Sequence, residues 1–326
     1  MTVDSGALTL DSISFVTDLS TLAPSRTAAG DGGSYNLIAS NASGTATSTV
    51  AVVKIGLPMI NPSFEVDNFP YFPGYVSGNG PITGWSSLGN HGVNTGAGPF
   101  ADNGAIPDRN QVAFMQGDGA MSQTVSGFTI GAQYYVVYFE NARNGGIPVI
   151  ALQIGGTTIV PAHSRAPVGG ANPYVQVTSD PFVATATDLS LSFIKSNPNG
   201  GDTTALIDNV CILPLPAGTP PSVSRQPQSL VVTVGGNAAF SVGAFGSLPI
   251  TYQWRKDGTN IADATNSSLA LVVVTKAAEA DYTVVLANDS GSVTSTVARL
   301  SVFETITTLF NTGLVTEPLP FASTTV

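Results

Sequence analysis

Very little of this 326-residue chain is charged. Asp, Glu, Lys and Arg make up 10% of it, against about 25% in ordinary globular domains. Basic residues are the scarcest, 11 against 21 acids, for a formal net charge of −10. That balance argues against a nucleic-acid binder, which needs a basic stripe to displace counterions from phosphates. It argues equally against a protein that holds a membrane surface through a polybasic segment. Cys211 is the single cysteine, so no intrachain disulfide and no thiolate metal cluster forms. Set between Val210 and Ile212, it reads as a small buried hydrophobe. No apolar run approaches the ~20 residues that cross a bilayer. Met1-Thr2-Val3-Asp4-Ser5 lacks a basic start and an apolar stretch, so no signal peptide is visible.

Apolar residues are plentiful, at 43%, which sets the chain apart from disordered sequences of low hydrophobicity and high net charge. Its length predicts two or three domains at roughly 100–200 residues each. Few lysines, abundant Thr, Ser, Gly and Asn, and the acidic balance resemble the composition of exported bacterial surface proteins. The expectation is a secreted or cell-surface protein whose signal lies upstream of a truncated start.

Two distant segments repeat one another. Tyr35-Asn36-Leu37-Ile38-Ala39-Ser40-Asn41-Ala42-Ser43-Gly44 matches Tyr282-Thr283-Val284-Val285-Leu286-Ala287-Asn288-Asp289-Ser290-Gly291 without a gap. Ser48-Thr49-Val50-Ala51 and Ser295-Thr296-Val297-Ala298 follow at the same offset. Such self-similarity marks a repeated structural unit. The later copy reads as six strands: 229–234, 238–244, 251–256, 269–274, 282–287 and 292–302. Each is rich in β-branched or aromatic residues and bounded by Gly, Asn, Asp or Pro, the pattern of an antiparallel sandwich.

Tyr252-Gln253-Trp254-Arg255-Lys256-Asp257-Gly258, followed by Ala280-Asp281-Tyr282-Thr283-Val284, resembles bacterial immunoglobulin-like domains. The resemblance implies a Trp on the third strand and a Tyr at the corner before the sixth. The usual cysteine pair is missing: Val284 stands at one position and Phe240 or Val242 at the other. Hydrophobic packing is expected to replace the covalent link. The earlier copy, residues 1–56, holds only the back half of such a domain, with three strands. Half a sandwich leaves open strand edges, so self-association through this incomplete sheet is one expectation. A tail, 304–326, begins a further segment.

Residues 57–216 differ. Short strand-like runs at 112–116, 121–125, 133–139, 149–154, 174–178, 189–194 and 204–212, with no helical period, suit a jelly roll. Asn61-Pro62-Ser63-Phe64-Glu65, Ile82-Thr83-Gly84-Trp85, Ser122-Gln123-Thr124-Val125 and Ala205-Leu206-Ile207-Asp208-Asn209-Val210 resemble, in this order, galactose-binding-like jelly rolls, a plan shared by many carbohydrate-binding modules. The resemblance places the first and last strands side by side, with Glu65 and Asp208 as neighbours. Adjacent carboxylates repel unless a proton or cation intervenes, and the family often holds a structural Ca²⁺ there. Glu65, Asp208 and Ser63 are the implied ligands, since Ca²⁺ takes hard oxygen donors. The plain alternative has Asp208 making turn hydrogen bonds and Glu65 in solvent.

Sugar recognition needs flat apolar faces with polar groups beside them. Tyr71, Phe72, Tyr75, Trp85 and His91 lie in one loop-rich stretch, and Glu140, Asn141 and Arg143 end a strand, together a candidate cleft for a polysaccharide or glycoconjugate. The alternative puts Phe64 and Trp85 in the core and makes Phe69-Pro70-Tyr71-Phe72-Pro73 a rigid loop. Support for catalysis is thin. There is no G-x-S-x-G elbow, and a glycosidase needs two carboxylates about 5–10 Å apart, which nothing in the sequence selects. Were the protein a hydrolase (a glycosidase, esterase or lactonase), Glu140, His91 and His163 would be its candidates. The expected fold is all-β: a jelly-roll β-sandwich at 57–216 between a partial Ig-like domain at 1–56 and a complete one at 217–303. Its expected roles are non-catalytic carbohydrate binding at the jelly roll, with Ig-like spacers, or a structural, adhesive role by strand addition.

Overall fold

The computed structural model describes the backbone of residues 33–35, 38–41, 44–47 and 51–53, and in full residues 54–67, 82–95, 104–198, 200 and 203–304. The protein is all-β. Among the described residues the only helical element is a 3-10 turn at Lys276–Ala278, and no helix is long and apolar enough to cross a membrane. The chain divides into two compact units. One runs to Ser224 and takes in Gly243–Ile250 and Ala287–Val293; the other comprises Arg225–Val242, Thr251–Leu286 and the chain from Thr294.

Four short strands come first: β1 (Gly33–Tyr35) pairs antiparallel with β4 (Ala51–Val53), and β2 (Ile38–Asn41) with β3 (Gly44–Thr47). The large sheet of the first unit follows. It contains β5 (Ser86–Thr95), β6 (Gln111–Ser126), β7 (Gln133–Ala142), β8 (Val149–Ile154), β9 (Thr157–Ser164), β10 (Val175–Thr178), β11 (Phe182–Val183), β12 (Asp188–Ser196) and β13 (Ala205–Pro214). Its order is β10-β7-β13-β6-β12-β8-β9, with β5 added on β6 and β11 on β7.

One strand folds this sheet on itself. The first half of β6 pairs β13 through Ala113–Met115, and the second half pairs β12 through Gly119–Ser126. Gly117 lies between the halves at φ +63°, and β5 carries a bulge opposite, at Gly89, φ +80°. A Cβ at Gly89 would sit 2.5 Å from the Asp118 carbonyl oxygen, so only glycine turns this corner. Period-2 alternation then fills the space between the layers. Tyr134, Val136 and Tyr138 of β7 face Leu189, Leu191 and Phe193 of β12 in one core, and the Tyr138 and Phe193 rings meet edge to face at 5.0 Å.

The chain entering the sandwich runs beside its last strand. Leu57 N–H donates to the Ile212 carbonyl at 2.8 Å, and Val210 N–H to the Pro62 carbonyl at 2.9 Å. Gly56 permits the approach, for a Cβ there would lie 2.6 Å from Cys211 Sγ. The thiol itself is half-buried.

The remaining strands are β14 (Ser222–Arg225), β15 (Leu230–Thr233), β16 (Ala238–Ser241), β17 (Gly243–Phe245), β18 (Thr251–Lys256), β19 (Thr259–Asn260), β20 (Ser268–Leu271), β21 (Ala280–Asn288), β22 (Gly291–Thr294) and β23 (Ala298–Phe303). One sheet has the order β15-β23-β21-β18-β19 with β22 on β21; β16 pairs β20, and β14 pairs β17. Trp254 is wholly buried, its ring 6.0 Å from Phe240, which stacks on Tyr282 at 4.8 Å. The indole N–H donates to the Asn266 carbonyl at 3.0 Å, and the Tyr282 hydroxyl to the Ala278 carbonyl at 2.9 Å. Val242 and Val284, at candidate cysteine positions, are buried apolar residues. Burying each such side chain contributes about 1.5–3 kcal/mol.

Candidate functional site

The inner stripe of β7 ends in a charge. Glu140 continues the Tyr134, Val136, Tyr138 alternation and is completely buried. It is not left unpaired: His163 Nε2 lies 2.6 Å from Oε1, Arg165 reaches the same oxygen with Nε at 2.7 Å and Nη2 at 2.5 Å, and the Tyr138 hydroxyl donates to Oε2 at 3.1 Å. His163 is the penultimate residue of β9, Arg165 follows the strand, and β9 lies at the far edge of the sheet from β7. The cluster therefore ties the two layers across the open side of the sandwich. Burial raises the carboxyl pKa of Glu140, but the imidazole and guanidinium beside it outweigh burial and hold it below its ordinary value. The hydrogen bond to Glu140 raises His163, against its own partial burial. His163 Nδ1 faces the Pro161 carbonyl at 3.0 Å. With an acceptor at each ring nitrogen, the doubly protonated imidazolium satisfies both.

The other expected ligand residues separate. Asn141 is buried and organises a loop: its Oδ1 accepts from Val168 and Ala142 N–H, and its Nδ2 donates to the Val168 carbonyl. Arg143 is half-buried, with its N–H on the Thr204 carbonyl. Trp85 is corrected from a sugar platform to a core residue. It is 5% exposed, its indole N–H donates to the Asn61 carbonyl at 3.1 Å, and its ring lies 5.4 Å from Phe64 and 6.2 Å from Phe193. An indole this deeply buried offers no stacking face. His91 is likewise buried, with Nδ1 on the Gly89 carbonyl at 2.8 Å, so it does not present an open imidazole. Tyr71, Phe72 and Tyr75 lie outside the described residues.

A second acidic locus forms where the chain enters beside β13. Glu65 Oε1 accepts from Asn110 and Gln111 N–H at 2.8 and 2.6 Å. Asp208 is fully buried; Oδ2 accepts from Asp108 N–H at 2.9 Å and Oδ1 from Asn209 N–H at 2.7 Å. Desolvation pushes Asp208 up to about 8 despite those two donors, and the charges of Asp108 and Glu65 add to the rise. A buried carboxylate facing like charge is a place where a cation relieves strain. Among the described residues no three His, Cys, Asp or Glu side chains group to hold a metal, so Glu65 and Asp208 would need backbone or hydroxyl oxygens, Ser63 among them, to complete a Ca²⁺ shell.

Arg165, Tyr138 and Lys195 were not among the expected site residues. Lys195 extends the Leu189, Leu191, Phe193 stripe of β12, is 1% exposed, and donates to the Gly117 carbonyl and, at 3.0 Å, to the Thr203 hydroxyl. The signal was a charge at the next inward position of an apolar alternation.

Residues 221–302 match the immunoglobulin I-set domain. A 91-residue stretch is 33% identical to part of endoglucanase C from Cellulomonas fimi, covering 27% of this chain and 8% of that protein. The chain thus spans less than a tenth of that relative. Among solved structures, a chimeric titin Z1Z2 is 28% identical, covering 26% of this chain and 96% of its own, with a TM-score of 0.23. The carbohydrate-binding module TmCBM61, solved with beta-1,4-galactotriose, is 13% identical and covers 47% of this chain and 95% of its own, with a TM-score of 0.35.

Proposed function

We propose that the central sandwich is a galactose-binding-like jelly roll that binds a polysaccharide or glycoconjugate without cleaving it, on a secreted or cell-surface protein. In this reading the I-set domain acts as a spacer. One observation carries it. Buried Glu140 fixes His163 and Arg165, whose side chains remain 28% and 20% exposed. Donors held rigidly by a buried acceptor are preorganised for ligand hydroxyls, and Arg165 keeps N–H groups beyond the two spent on Glu140. Kinship of one stretch with part of an endoglucanase agrees with a role on polysaccharide. An ionised, multiply paired Glu140 is poorly suited to donate a proton as a general acid, which favours binding over hydrolysis.

The same reading gives Glu65, Asp208 and Ser63 a structural Ca²⁺. Bound there, the ion would neutralise two carboxylates and pin the entering chain to β13.

Affinity electrophoresis of the full chain through gels containing individual polysaccharides tests the proposal. Retardation by at least one glycan, weakened by Arg165→Ala, with no released sugar, is the expected result. Release of reducing sugar that is lost in Glu140→Gln would establish the hydrolase instead.

A further inference from the structure

Glu140 has more counter-charge than it needs. One well-placed cation suffices to pair a buried carboxylate. Here two converge on the same oxygen, His163 Nε2 at 2.6 Å and Arg165 Nη2 at 2.5 Å. Because His163 also meets the Pro161 carbonyl through Nδ1 at 3.0 Å, its imidazole is charged. The trio therefore holds one negative and two positive charges, and the cations stand close enough to repel each other. Among the described residues neither cation is ion-paired with a second carboxylate. The surplus charge lies within reach of solvent, for the two side chains are 28% and 20% exposed.

The rest of the chain makes this surplus unusual. It has 11 basic residues against 21 acidic ones and a net charge of −10. Such a protein repels polyanions in general, so an anion is drawn only to a local positive site.

Arg165 supplies direction as well as charge. Nε and Nη2 both turn to Glu140 Oε1, which takes up one edge of the planar guanidinium. The adjoining edge, formed by Nη1 and the second Nη2 hydrogen, is a fork that matches the two oxygens of a carboxylate. That fork is held before any ligand arrives. Arg165 N–H donates to the Pro148 carbonyl at 3.0 Å, and Glu140 is itself anchored by the Tyr138 hydroxyl at 3.1 Å. Such preorganisation lowers the ordering cost of binding.

We infer that this site recognises an acidic sugar, a uronate residue whose carboxylate takes the free-standing fork of Arg165 while His163 adds charge. With that ligand in place, two carboxylates face two cations. The inference rests on the reading that the central sandwich binds glycans, and narrows the ligand from polysaccharides in general to polyuronates.

The test is isothermal titration of the full chain, in mildly acidic buffer, with oligosaccharides of polygalacturonate and of alginate. Each is compared with its carboxyl-esterified form, and with a neutral and a sulfated galactan. At least one uronate should bind. Esterification removes the charge and leaves the sugar, and should weaken binding by about tenfold or more. Added salt should weaken the acid form as well. Arg165→Lys keeps a cation on Glu140 but loses the fork, and should bind the uronate several-fold more weakly. The acid–ester comparison uses the parent chain, so it needs no variant to fold. Equal binding of acid and ester, equal binding by Arg165→Lys, or tighter binding of the neutral or the sulfated galactan would overturn uronate recognition while leaving glycan binding intact. A parent chain that binds none of these sugars, nor any polysaccharide in affinity gels, would overturn both.

Discussion

His163 Nε2 stands 2.6 Å from Glu140 Oε1 and joins β9 to β7, two strands that share no backbone pairing. This contact, with Arg165 on the same carboxylate oxygen, spans the side of the sandwich that its sheet leaves open. A buried charge pair of this kind adds little over an apolar replacement, but removing one partner strands the other.

Glu140→Gln should therefore be costly. It leaves two cations facing a neutral amide, with an expected loss of about 3 kcal/mol. Urea denaturation followed by tryptophan fluorescence should show a lower midpoint at unchanged slope. A loss under about 1 kcal/mol would mean that the cluster behaves as a surface pair.

The same contact sets a pH window. His163 is raised above 6.5 in the folded protein, so its contribution is complete below 6.5 and fades as pH climbs through the raised value. Glu140 is lowered below 4.5, so its contribution is complete above 4.5 and fades as pH falls through the lowered value. Tyr138, Arg165 and the Pro161 carbonyl are the other groups in contact with the pair. The difference in melting temperature between the parent and His163→Gln should be greatest between about pH 4.5 and pH 6.5 and shrink toward alkaline pH. A difference that stays constant to pH 9 would contradict the assignment.

Calcium should stabilise the protein through Asp208 and Glu65. At a hundredfold excess over Kd a ligand adds about 2.7 kcal/mol, enough to raise the melting temperature by several degrees. Calorimetric scans in EDTA and in CaCl₂ should differ by that amount in the parent and coincide in Asp208→Asn. Identical scans of the parent would remove the cation from the account.

In the I-set domain the Tyr282 hydroxyl bonds the Ala278 carbonyl at 2.9 Å. Tyr282→Phe should cost about 1 kcal/mol with the ring stack on Phe240 intact. Hydrogen exchange would show it as faster exchange near the 3-10 turn, whereas wild-type protection there would show the bond to be dispensable.

Much of this arrangement was legible in the sequence. The strands at 149–154 and 251–256 appear with the expected bounds, because alternation and flanking turn residues agree there. The meeting of the entering chain with β13 was implied by the family resemblance that the motifs around Glu65 and Asp208 carry. Of the longer strands, β5 and β9 were missed. The first carries Gly89 and Gly92 and the second Pro161, and both sit in the sheet through neighbours rather than propensity. Trp85 misled because an aromatic in a glycine-rich stretch reads as exposed until its partners Phe64 and Phe193 are known. Arg165 was invisible for a similar reason: its value lies in a carboxylate 25 positions away, reached only once β7 and β9 are folded toward each other.

The most direct measurement is a crystal structure of the chain grown with an oligosaccharide that retards it in affinity gels. Sugar density within hydrogen-bonding distance of Arg165 or His163 is expected. Density only on the I-set domain, or none on the central sandwich at saturating ligand, would contradict glycan recognition by that fold.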